Sequence, residues 1–188
     1  RQALIETSCQ QGFMERGRRD KWRSFSYVGS PKVYDAQVIK ADYLIENIDL
    51  AFEAWQQRGW DKYCLFDDFC NYLLPYWVGD EIPDCWRRIY RERFLPVLDS
   101  LYQGTDIMVA VDSLQSYLQR NMNFCYNNDF SFPHAGGIFI LEHCIGTCRE
   151  ETDFLVYLLR ALGIPVAVDR YIYSPDTFLA HSWNVFRD

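Results

Sequence analysis

Residues 146–165 carry a helix with both ends marked, and they constrain the fold more than any other part of the chain. Thr147 followed three residues later by Glu150 is a capping-box pair, so Thr147 is predicted as N-cap and Cys148 as the first helical residue. Apolar residues recur at helical spacing as far as Leu162, and Gly163-Ile164-Pro165 supplies the stop. A cysteine in the first helical position sits beside unpaired backbone N–H groups and the positive end of the helix dipole, a setting that activates a thiol as a nucleophile. Glu150, Glu151 and Asp153 place negative charge near that thiol, with Arg149 as the counter-charge.

The segments after this helix limit the architecture further. Residues 166–173 read as a strand, Ser174-Pro175-Asp176 as a turn, and residues 178–186 as a second strand. Alternation along the second strand puts Leu179, His181, Trp183 and Val185 on one face and Ala180, Ser182, Asn184 and Phe186 on the other. The apolar face carrying His181 is expected to pack on the helix and to aim the imidazole toward the helix start. A cysteine and a distant histidine so arranged are the minimum for thiol nucleophilic catalysis, with Cys148 as nucleophile and His181 as base.

The N-terminal two-thirds of the chain reads as helices. Val38, Ala41, Ile45, Ile48, Phe52 and Trp55 recur at helical spacing, with Gly59 as terminator. A shorter helix is predicted over residues 63–74, a third from Pro83 through Trp86, Ile89, Tyr90 and Phe94, and a fourth over residues 106–122. Pro96 is placed to kink or end the third. Residues 123–137 read as a loop. The expected fold class is therefore α+β, one compact domain with a helical N-terminal part over residues 1–122 and a core of one helix on a small antiparallel sheet over residues 123–188.

Composition excludes several classes of function. A net charge of −7 leaves no basic face for a phosphate backbone, so nucleic acid is not an expected partner. The one basic cluster, over residues 16–23, reads as a solvated face. No stretch is long and apolar enough to span a bilayer. The chain opens on Arg1 rather than Met, as a processed or excised chain would, and a removed export signal fits that. Seven cysteines without regular spacing do not form a disulfide framework, and Cys64 and Cys70 lie among apolar neighbours as small hydrophobes do.

The helix start at Cys148, the Arg160-Ala161-Leu162-Gly163-Ile164-Pro165 exit, the strand after it and His181-Ser182-Trp183 in the next strand together resemble the transglutaminase-like superfamily. Leu74-Pro75-Tyr76 and Val78-Gly79-Asp80-Glu81 are similar to segments of exported members from gut Bacteroidetes. The resemblance implies a papain-like thiol fold, a cysteine acyl-transfer enzyme acting on an amide or peptide bond of a peptide or protein, and an extracytoplasmic location. It favours hydrolysis over crosslinking, and it implies no metal or organic cofactor. The backbone N–H of Cys148 is the expected oxyanion donor. The residue that orients the histidine arrives in that family on a later strand, and Asp188, on the opposite strand face from His181, is not expected to serve. Nothing in the sequence fixes an oligomeric state.

Three other readings use the same residues. Cys125, His134, His143, Cys144 and Cys148 offer metal-ligand types, but their spacing lacks the paired ligands of a structural zinc site. A disulfide from Cys144 to Cys148 or Cys125 would be reversible, and one to Cys148 would silence the thiol. A catalytically silent peptide- or glycan-binding module on the same fold would keep the aromatic surface and dispense with the chemistry.

Overall fold

The computed structural model describes residues 3–9 and 23–29 by backbone, and residues 34–127, 134–173 and 180–186 with their side chains. Strands β1 (Ala3–Cys9) and β2 (Arg23–Gly29) form an antiparallel pair in register from Ala3↔Gly29 to Cys9↔Arg23. Helices α1 (Asp35–Val38) and α2 (Ala41–Gln57) come next, and then a 3-10 turn over Trp60–Lys62. The short α3 (Phe66–Asp68) runs into a π-turn over Phe69–Leu73, where the sequence predicts one continuous helix. Helices α4 (Trp86–Leu101) and α5 (Ile107–Asn121) complete the helical part. The rest comprises β3 (Cys125–Tyr126), α6 (Gly137–His143), β4 (Ile145–Gly146), α7 (Cys148–Ala161), β5 (Val166–Tyr171) and β6 (His181–Phe186). The architecture is mixed helix and small two-stranded sheets, an α+β arrangement in the broad sense.

Helix α7 is the hub, touching α2, α4, α6, β4, β5 and β6. Its apolar residues Phe154, Val156, Tyr157, Leu158 and Leu159 are all buried. They meet an aromatic ladder on α4: the Trp86 and Tyr157 rings lie 4.9 Å apart, Tyr90 and Phe154 5.6 Å, and Phe94 and Phe154 6.2 Å. Such pairs add about 0.5–1.5 kcal/mol each beyond the area they bury. Pro96 falls inside α4 without ending it, and the helix runs on to Leu101 with Leu98 fully buried beyond the proline. A smaller cluster packs Phe69 against Trp55 at 4.7 Å and against Phe52 at 4.5 Å.

Further features depart from the sequence expectation, the first being that the N-terminal part, read as helical over residues 1–122, opens on the strand pair β1–β2. The buried face of α2 is Asn47, Ala51 and Ala54, whereas Ile45 and Ile48 are exposed. The approach of α7 decides this: a Cβ on Gly163 would stand 2.3 Å from the Ala54 carbonyl oxygen, so the α7 exit lies directly on the small residues of α2. Helix α6, which the sequence does not predict, begins where the expected loop ends and is capped at Cys144 in the left-handed region with φ 48°. The basic cluster at residues 16–22, the turn at 174–176, the loop residues 128–133, strand residues 178 and 179, and Asp188 lie outside the described residues.

Candidate functional site

The start of α7 is built by short pairings around it. Strand β4 runs parallel to β3, with Cys125 N–H donating to Cys144 O at 2.8 Å and Asn127 N–H to Gly146 O at 2.7 Å. The chain is thus fixed before it turns into the helix. The fully buried Glu150 then folds back: one carboxylate oxygen accepts from Thr147 N–H at 2.9 Å and from the Thr147 hydroxyl at 2.7 Å. Its other oxygen takes the Arg149 Nε–H at 2.7 Å and pairs with the same guanidinium through Nη2. Gly146 makes room, since a Cβ there would stand 2.3 Å from the Glu150 Cβ. Thr147 Oγ1 also accepts from Arg149 N–H at 3.3 Å, and the capping box of Thr147 with Glu150 that the sequence predicts is present.

Cys148, a partly exposed residue, stands at the first helical position with a free thiol, so no disulfide ties it to Cys144 or Cys125. Its carbonyl accepts from the Thr152 hydroxyl at 2.6 Å. No hydrogen bond involves its own N–H among the described residues. The first-turn acid nearest in sequence, Glu150, is turned toward Thr147 and Arg149, so its charge is locally balanced.

Strand β6 pairs antiparallel with β5, Tyr171↔His181 to Val166↔Phe186. Since α7 turns tightly into β5, β5 runs back along the helix and β6 runs parallel to it. His181 therefore lies at the strand end nearest the start of α7. Its face differs from the sequence expectation. Ser182 is buried, and Asn184 Nδ2 donates to Thr152 O at 3.1 Å, so the Ser182–Asn184 face meets α7. His181, Trp183 and Val185 are exposed, and the imidazole packs beside Tyr171 at 6.0 Å and Trp183 at 6.1 Å. Cys148 and His181 make no hydrogen bond to each other among the described residues. Polar residues win the inner face because Asn184 finds a helix carbonyl there, which hydrophobic alternation alone does not reveal.

His134 has a different partner from any the sequence suggests. Its Nδ1 lies 2.7 Å from Asp153 Oδ2, and its backbone N–H donates to Asp80 Oδ1 at 2.8 Å. The ring fills the space beside Gly79, where a Cβ would stand 2.5 Å from it. Burial acts to lower the His134 pKa, but the hydrogen bond and charge of Asp153 outweigh it, and the net direction is up. Burial also pushes Asp153 up, with His134 opposing. Asp84, which accepts from Ile138 N–H at 3.0 Å at the start of α6, is pushed up to about 6, chiefly by burial. Sequence patterns do not reveal Asp153 and Asp84 because their partners lie far along the chain.

The remaining metal-type residues sit on adjoining elements in other roles: Cys125 is on β3 with its N–H on the Cys144 carbonyl, His143 packs on Phe139 at 4.5 Å, and Cys144 caps α6. No cluster able to hold a metal ion occurs among the described residues. No described helix is long and apolar enough to cross a membrane. A groove of about 970 Å³ opens at the far end of α7, lined by Tyr63, Leu65, Ile107, Met108, Pro165 and Phe186, away from Cys148. Comparison with family models, curated proteins and solved structures finds no match.

Proposed function

We propose that this chain is a transglutaminase-like cysteine enzyme of papain-like architecture that cleaves an amide or peptide bond, with Cys148 as nucleophile and His181 as general base. The observation that supports it most is the helix start: a free thiol on a partly exposed residue at the first position of a buried, capped helix, with its own N–H uncommitted among the described residues. In this mechanism the thiolate attacks the carbonyl carbon, and the oxyanion that forms takes a hydrogen bond from the Cys148 N–H. The C–N bond breaks as His181 gives its proton to the leaving amine. Water then attacks the thioester, losing a proton to His181, and releases the acid with the thiol restored. Hydrolysis is preferred to amine transfer, and the compartment is extracytoplasmic; both rest on the family resemblance.

His181 reaches this role from an outward-facing position at the strand end, so the imidazole has to turn over the mouth of α7 when substrate binds. Thiol–base contacts are often long before substrate is present. The exposed rings of Tyr171, His181 and Trp183 also favour a second reading, a non-catalytic module that holds a peptide or glycan on that aromatic face. A peptide-library cleavage assay separates the two. Cys148→Ala and His181→Ala should each lower cleavage by about a thousandfold or more. Binding without cleavage, unchanged in Cys148→Ala, would support the module instead.

A further inference from the structure

Among the described residues, the side-chain hydrogen bond that joins β6 to α7 is the one from Asn184 Nδ2 to Thr152 O, at 3.1 Å. Thr152 is itself tied to the helix start, because its hydroxyl donates to the Cys148 carbonyl at 2.6 Å. The strand that carries His181 and the helix that carries Cys148 are therefore registered through one residue pair. At the opposite end, Arg160 reaches Val166 O at 3.4 Å and ties α7 to β5 rather than to β6.

We propose that Asn184 is a positioning residue that sets the level of His181 against Cys148; this rests on those two residues acting as base and nucleophile. Strand residues advance about 3.3 Å each and helical residues about 1.5 Å. His181 lies three residues before Asn184, about 10 Å toward the helix start, whereas Cys148 lies four before Thr152, about 6 Å away. The backbone of His181 is thereby held about 4 Å beyond the first helical residue, past the end of α7 rather than alongside it. From there an outward side chain can fold across the open helix end, which a residue farther down the strand could not do. A slip of one residue would turn His181, Trp183 and Val185 inward together, in place of Ser182 and Asn184 against α7. Asn184 opposes the slip because the slipped strand leaves its amide facing away from the Thr152 carbonyl.

The test is a double-mutant cycle on the full chain, reading iodoacetamide labelling of Cys148 by mass spectrometry at about pH 6.5. Asn184→Ala should slow labelling about tenfold when His181 is present, and by less than about twofold in a His181→Ala background. Equal slowing in both backgrounds would show a merely structural residue and overturn the proposal. So would a normal rate in Asn184→Ala while His181→Ala alone is slow, which leaves the catalytic pair standing. If His181→Ala itself changes nothing, the catalytic pair falls and the positioning role falls with it. Should Asn184→Ala lose its circular dichroism signal, Asn184→Leu, which keeps the branched shape and removes the donor, takes its place in the cycle.

Discussion

His134 and Asp153 show how one buried pair can make stability depend on pH. The folded protein holds a proton on this pair more tightly than the unfolded chain does, since both pKa values are raised. A raised histidine contributes stability that is full below its unfolded value and is lost as pH rises through its folded value. The raised carboxyls act in the same direction, and Asp84, lifted from 3.8 to about 6, costs stability as pH climbs through that interval. Thermal melts are thus expected to show a midpoint that falls from mildly acidic to alkaline pH. Asp84→Asn should flatten the acidic limb and His134→Gln the limb above the ordinary histidine value; a midpoint rising across the whole range would contradict the assignment. The pairing of His134 with Asp153 is not legible in the sequence, because the two stand 19 residues apart and nothing local joins them.

At the level of elements, the legible parts are those whose signals are local. Helix α7 is readable end to end because Thr147 and Glu150 mark its start and Gly163 its stop, and both act within a few residues. The rotation of α2 is not readable, because Ile45 and Ile48 satisfy helical periodicity as well as Asn47, Ala51 and Ala54 do. The partner chooses, through the contact of Gly163 with Ala54 and the hydrogen bond from Arg87 to Asn47 at 2.8 Å. The inward face of β6 escapes hydrophobic alternation for the same reason, a polar residue finding a helix carbonyl. Gly163, at φ +86°, combines a left-handed backbone with no space for a side chain. Gly163→Ala should therefore cost about 2–4 kcal/mol, read as a shift in the denaturant midpoint. A cost below about 0.5 kcal/mol would mean the α7 exit does not lie on α2.

Across the whole molecule, two buried arginines on α4 knit helices that share little sequence proximity. Arg87 donates to Asn47, to Arg160 O and Leu73 O at 2.9 Å each, and to Leu74 O and Pro75 O. Arg91 joins Ala161 O to Glu53 and Gln57. Burial lowers the Arg87 pKa to about 9, which still leaves it charged at neutral pH, and its charge meets carbonyls at the C-terminal end of α7, where the helix dipole favours a cation. Arg87→Leu should destabilise by about 3–5 kcal/mol in chemical denaturation, because several buried carbonyls lose their donor together. A change under about 1 kcal/mol would show that those carbonyls find other partners.

Activation of Cys148 can be read against a reference thiol in the same molecule. Cys85 is exposed and Cys148 only partly so, so access alone favours Cys85. Limiting iodoacetamide at neutral pH, with both cysteines quantified in the same digest, should label Cys148 about tenfold faster than Cys85 or more. That advantage should disappear in His181→Ala while labelling of Cys85 stays the same. Equal or slower labelling of Cys148 in the unaltered protein would contradict an activated nucleophile at the start of α7.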